Sequence, residues 1–79
     1  MATNGADNMS ILYDLIFEMK ADLQKHEQIR VEINENMGSI IRMNDKIQCI
    51  NDVLIITRAG KECLIPLNHV LRVQREDRL

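Results

Sequence analysis

The sequence predicts an α+β fold, in which a long N-terminal amphipathic helix precedes a small antiparallel β-hairpin or meander. Two observations predict it: apolar residues recur with heptad spacing from residue 12 to residue 47, and β-branched apolar runs follow Asp52. A chain of 79 residues holds one domain. We divide it into a leader expected to be disordered (1–8), a helical oligomerisation segment (9–51), a β-meander (52–75) and a frayed C-terminus (76–79).

The helical segment carries its apolar side chains at alternating steps of four and three residues, which is the seam of a coiled coil. A chain this short has little else to cover such a stripe. The seam therefore predicts a homo-oligomer; we favour a dimer because twofold symmetry is the commonest closed arrangement, with trimers or larger rings as alternatives. The expected oligomer interface consists of Leu12, Ile16, Met19, Leu23, Ile33, Met37, Ile40, Asn44 and Ile47.

Two seam positions are occupied by His26 and Arg30. A polar layer at these positions would set the register of the bundle. Alternatively, a shift of helical phase places Ile29 on the seam and turns Arg30 outward. Asn44 is the stronger candidate for a register-setting residue, because a single buried Asn is the best-attested polar seam residue.

The weakest part of the predicted helix is the segment 34–39. Asn34, Asn36, Gly38 and Ser39 each cost about 0.5–1 kcal/mol relative to Ala inside a helix. The chain either continues through this segment as one helix that bends near Gly38, or folds back there as a helical hairpin. We favour the continuous helix because the heptad phase is unchanged on both sides.

The remaining chain has the composition of a short meander. The run from Val53 to Arg58 is β-branched and predicts a strand, and Ala59-Gly60-Lys61 predicts a tight turn. A second strand follows at residues 62–67, where Pro66 requires an edge position or a bulge, and a third at residues 70–74. A meander of this size needs a cover for one face, which the helix or a second copy could supply.

The stretch from Asp52 to Val73, with the sequence DVLIITRAGKECLIPLNHVLRV, resembles the later strands of small barrels of the Sm-like kind. Those barrels also run strand, tight turn, strand and then a short closing strand. The resemblance covers about a quarter of the chain and is a general β pattern. The earlier strands and a glycine-bearing RNA-contact motif are not found in the sequence, so we do not infer membership.

Several function classes lack their sequence signatures. No nucleophile–base pair or carboxylate pair can be placed in a pocket, so we expect no enzyme. The spacing of Cys49, Cys63 and His69 matches no structural zinc pattern, and we expect neither metal nor cofactor. The polar N-terminus lacks the apolar core of a signal peptide and no apolar run reaches transmembrane length, so we expect a cytoplasmic protein, away from the membrane, with reduced thiols.

The net charge is −2, with the basic excess in residues 53–79. Two functions fit. The first is a small adaptor, regulator or inhibitor that self-associates through its helix and docks a partner protein. The second is an oligomer that captures a nucleotide, nucleic acid or other anion in a site between subunits, because guanidinium groups suit phosphates and carboxylates. The candidate anion ligands are Arg58, Lys61, His69, Arg72, Arg75 and Arg78.

Overall fold

Within residues 5–78 the protein is mostly β, with one short helix and six strands. The structure is a computed structural model that describes the backbone of residues 5–78 and the side chains of residues 11–78. Its elements are α1 (Gly5–Ala21), β1 (Glu27–Asn34), β2 (Met37–Ile41), β3 (Lys46–Ile50), β4 (Val53–Arg58), β5 (Lys61–Pro66), a 3-10 helix (Leu67–His69) and β6 (Arg72–Asp77).

The prediction of a long helix over residues 9–51 is wrong. The helix ends at Ala21, and residues 27–50 form three strands instead. The reason is a period of two that the heptad spacing obscures: Ile29 and Val31 are fully buried, whereas the side chains that alternate with them, such as Arg30, are only partly buried. Neither a coiled coil nor a helical hairpin forms within the part of the chain that the structure describes.

The strands form two antiparallel sheets. The first has the order β2-β1-β6 and the second the order β3-β4-β5. In the first sheet Val31 of β1 lies opposite Ser39 of β2 and Val73 of β6. The third strand predicted for the meander therefore pairs with β1 rather than with its predecessor β5. This strand also continues to Asp77, into the C-terminal segment that we predicted to be frayed. Leu79 and the first four residues of the predicted leader lie outside the described backbone.

Tight turns connect the strands. Asn51 and Asp52 both have positive φ, as do Ala59 and Gly60, and each pair forms a two-residue hairpin turn whose twist suits antiparallel strands. The turn between β1 and β2 is held by Asn34, whose Oδ1 accepts a hydrogen bond from the Asn36 backbone N–H at 2.9 Å. The poor helix formers of residues 34–39 are therefore turn and strand residues.

The core lies between the two sheets and is closed by the helix. It consists of Ile16, Leu23, Ile29, Val31, Ile41, Leu54, Ile56, Ile65 and Leu67. The helix packs on the 3-10 helix, and the Lys20 Nζ donates to the Met43 backbone carbonyl at 3.0 Å. The helix thus buries Ile16 within its own chain, whereas Ile11, Leu15 and Phe17 on the same helix are exposed.

The predicted seam residues are accordingly dispersed. Ile16 and Leu23 belong to the core of a single chain, and Leu12, Met19, Ile33 and Ile47 pack against that core. Met37, Asn44 and His26 are exposed, Ile40 is half-buried, and Arg30 pairs with Glu76 at 2.8 Å. A continuous helical interface built from these positions does not exist, because the helix ends at Ala21 and Ile33, Met37, Ile40 and Ile47 lie on strands.

Within the described residues, no helix is long and apolar enough to cross a lipid bilayer.

Candidate anion-binding site

A buried carboxylate organises the turn between β2 and β3. Asp45 is 4% exposed, and its Oδ2 accepts a hydrogen bond from the Arg42 backbone N–H at 2.8 Å. Arg58, at the end of β4, donates to the same carboxylate through Nε at 2.8 Å and through Nη2 at 2.6 Å. Its Nη2 also donates to the Ile40 backbone carbonyl at 3.0 Å. Arg58 is therefore held in one orientation by both sheets.

The charge state of this pair follows from its contacts. Burial opposes ionisation of Asp45, but the hydrogen bonds from Arg58 and from the Arg42 N–H outweigh it and lower the pKa of the carboxyl. The hydrogen bond to Asp45 in turn raises the pKa of the Arg58 guanidinium. Both groups are thus charged at neutral pH, and the pair has the two-pronged geometry that guanidinium and carboxylate groups favour.

Beside this pair lies a cavity of about 410 Å³, which we call the basic cavity. It is lined by Lys25, Arg42, Met43, Asn44, Asp45, Arg58 and Arg78. Four cationic side chains thus face one carboxylate. Among the described side chains, those of Lys25, Arg42 and Arg78 form no ion pair. The cavity therefore has an uncompensated positive charge, which attracts anions.

Backbone contacts fix the two chain segments that frame the basic cavity. The Arg78 backbone N–H donates to the His26 carbonyl at 2.7 Å, and the Arg78 Nη1 donates to the Lys25 carbonyl at 3.2 Å. These contacts attach the end of β6 to the turn that precedes β1. Hydrogen bonds thus position the guanidinium groups of Arg58 and Arg78, whereas the Lys25 and Arg42 side chains are exposed and form no hydrogen bond among the described residues.

A second cavity of about 320 Å³, the aliphatic cavity, shares Arg58 with the first. Buried Ile56 gives it an apolar wall. Its polar members include Ser39 and Cys63, whose Oγ and Sγ atoms lie 3.3 Å apart. The lining is completed by residues Ile40, Arg58, Lys61 and Glu62.

The structure does not gather the six basic residues that the sequence singled out. Arg58 lines both cavities, Lys61 lines the aliphatic one and Arg78 the basic one. Arg72 pairs with Glu32 at 2.8 Å, and the Arg75 Nε lies 3.9 Å from the Glu27 carboxylate. His69 is in the 3-10 helix and lines neither cavity. Arg72 and Arg75 are separated from the cavities because β6 pairs with β1, which supplies their acidic partners.

Lys25 and Arg42 are the cationic residues of the basic cavity that sequence reasoning missed, and it also missed Asp45. Both were assigned to the interior of a helix, where they would have been ordinary solvated side chains. The signal that could have found Arg42 is the polar run Asn44-Asp45, which is typical of a turn between strands. No signal in the sequence links Lys25 to the end of β6, because that contact spans most of the chain.

The potential metal ligands that the sequence offered do not converge on one site among the described residues. Cys63 lines the aliphatic cavity and Cys49 packs against the core, so they do not converge with His69. Ligand atoms of His26, Glu27 and Asp77 lie within 4.8 Å of one another. This group is largely open to solvent, and the Arg75 guanidinium beside Glu27 adds a positive charge that opposes cation binding. We therefore build no metal site on it.

Comparisons of the chain with protein-family models, with curated proteins and with solved structures give no match.

Proposed function

We propose that this protein is a small non-enzymatic binding protein that captures an anionic ligand in the basic cavity. The observation that carries the proposal is the set of four cationic side chains around about 410 Å³, in which Asp45 is the one carboxylate among the described residues and is already engaged by Arg58. The guanidinium groups of Arg58 and Arg78 are held by hydrogen bonds and lose little side-chain freedom when they bind a phosphate or a carboxylate. The lining comes from one chain, so this site needs no second subunit.

The test is a comparison of two double variants that remove the same charge from different places. We expect Arg42→Gln with Arg78→Gln to weaken the binding of pyrophosphate at least tenfold (about 1.4 kcal/mol), as measured by titration calorimetry. Arg72→Gln with Arg75→Gln is the matched control and should leave the affinity nearly unchanged. Circular dichroism checks that both proteins remain folded.

Salt supplies a second readout. Anion capture by fixed cations should weaken as the ionic strength is raised from about 50 mM to about 500 mM. The proposal fails if the wild-type protein does not bind pyrophosphate at low salt. It also fails if both double variants weaken binding equally, because the general charge of the protein, and not the cavity, would then be responsible.

A second candidate function is self-association combined with docking of a partner protein, as an adaptor, regulator or inhibitor. The observation that favours it is an apolar surface on the side of the second sheet that faces away from the core. Ile50 is 53% exposed and Leu64 is 59% exposed. Half-buried Val53, Ile55 and Pro66 lie between or beside them, since Ile50 pairs with Val53 and Ile55 with Leu64. We call these five residues the outer apolar face.

Such a face on a small protein is typical of an interface. The proposed self-association uses this face, because its five apolar residues lie next to one another on three paired strands. The test is absolute mass by light scattering on a sizing column. We expect a particle of twice 9.2 kDa that Leu64→Lys converts to a monomer. Met37→Lys, at an exposed position of the first sheet, is the matched control. A wild-type monomer at high concentration would contradict this candidate.

The cytoplasm remains our proposal for the location, on the grounds given by the sequence.

A further inference from the structure

We infer that the ligand of this protein carries a nucleotide unit, with its phosphate in the basic cavity and its base in the aliphatic cavity. The inference rests on the proposed function and adds the chemical class of the ligand. Its starting point is that the two cavities share one wall. Arg58 lines both, and its Nε and Nη2 are bound to Asp45 and to the Ile40 carbonyl.

The two cavities differ in chemistry. The basic cavity is lined by four cationic residues and, among the described residues, by one carboxylate that Arg58 already engages, which suits a phosphate. The aliphatic cavity has Ile56 as an apolar wall, with Ser39 and Lys61 among its polar residues. A ligand that fills both must be anionic at one end and apolar with hydrogen-bonding edges at the other.

A nucleotide unit has this combination. Its base is a flat heterocycle whose faces pack on aliphatic side chains and whose edges carry donors and acceptors. The Ser39 hydroxyl can donate or accept, and the Lys61 ammonium group, on the same face of the second sheet as Ile56, can donate to a ring nitrogen. A fatty acid would leave these polar groups unpaired against its chain, which carries an energetic penalty. The polar groups around the aliphatic cavity therefore favour a base over an acyl tail.

Asp45 positions this arrangement without contacting the ligand's base. By accepting from Nε and Nη2 it fixes the plane of the Arg58 guanidinium between the cavities. The Nη1 atom makes no hydrogen bond to the side chains and backbone described here, and it is free to donate to a phosphate oxygen. Arg58 would thus contact the ligand where the phosphate joins the nucleoside.

The experiment compares four probes by titration calorimetry: adenosine monophosphate, ribose 5-phosphate, pyrophosphate and a short single-stranded oligoadenylate. We expect the mononucleotide to bind at least tenfold more tightly than ribose 5-phosphate. Cys63→Phe places a ring in the aliphatic cavity from an exposed strand position. This variant should abolish the tenfold preference while leaving pyrophosphate binding unchanged.

The outcomes separate this inference from the proposed function. Equal affinity for adenosine monophosphate and ribose 5-phosphate would overturn the nucleotide assignment and leave anion capture standing. Failure to bind pyrophosphate as well would overturn both. If the oligoadenylate binds more tightly than adenosine monophosphate, and Cys63→Phe weakens the binding of both probes, the nucleotide unit belongs to a nucleic-acid strand. If the two probes bind with comparable affinity, the ligand is a free nucleotide. A Cys63→Phe protein that keeps the preference would overturn the placement of the base.

Discussion

Replacement of Asp45 by Ala should destabilise the protein more than replacement of any exposed acid. The substitution leaves the Arg58 guanidinium without its carboxylate and the Arg42 backbone N–H without its acceptor. Removal of one partner of a buried ion pair costs about 3–5 kcal/mol. The Arg58 side chain is 44% exposed, and water can rehydrate its charge. We therefore expect a loss of about 2–3 kcal/mol in the free energy of unfolding at pH 7.

The assay is urea denaturation followed by circular dichroism, with Asp22→Ala as the matched control. Asp22 is exposed and its side chain forms no ion pair among the described residues, so its loss should cost little. A double-mutant cycle with Arg58→Met adds a check, because Asp45→Ala should cost less when the guanidinium is already absent. The reasoning is refuted if Asp45→Ala is no more destabilising than Asp22→Ala.

Three further predictions concern the first sheet and the helix. The hydrogen bonds from Arg30 and a neighbouring glutamine lower the pKa of Glu76 from 4.5 to about 2. The contribution of the ionised Glu76 carboxylate to stability is therefore present above pH 4.5 and is lost as the pH falls through 2. Glu76→Gln should therefore flatten the fall of the melting temperature over that range, and an unchanged slope would count against the pairing. Gly38→Ala should destabilise the protein by about 1–3 kcal/mol, because the added Cβ would lie 2.8 Å from a backbone carbonyl oxygen of β1. Urea denaturation measures this loss, and an unchanged free energy of unfolding would contradict the close approach of the two strands. Ile16→Ala should lower the free energy of unfolding by about 2–5 kcal/mol independently of protein concentration, and replacement of exposed Leu15 by Ala should lower it far less. A loss that depends on protein concentration would indicate that a partner chain covers the helix.

The hairpin of β4 and β5 could be located from the sequence because its signals are local. The β-branched run from Val53 and the tight turn at Ala59-Gly60 correspond to the observed strand and turn. The prediction of a long helix in the first half of the chain was wrong for an equally local reason. Ile33, Met37, Ile40 and Ile47 have heptad spacing by coincidence, and helix-forming residues around them strengthened the false pattern. The alternation at Ile29 and Val31 was the competing signal.

The binding site depended much more on tertiary structure. Arg58 was identified from the sequence because it lies beside a hairpin turn. Lys25 and Arg42 could not be, since their role follows from the position of β6 and of the β2–β3 turn. The pairing of β6 with β1 brings residues more than forty positions apart together, and it also neutralises Arg72 with Glu32.

The sequence by itself determined the hairpin of β4 and β5 and the basic excess of the second half, because turn chemistry and short apolar runs act within a few residues. Only the tertiary structure decided that residues 27–50 are strands, that the helix closes its own core and that four cations surround one cavity. The physical reason is that burial decides which spacing of apolar residues determines the structure. The alternating side chains of β1 exclude water between the two sheets of one chain, whereas the heptad stripe would have needed a second chain to do so.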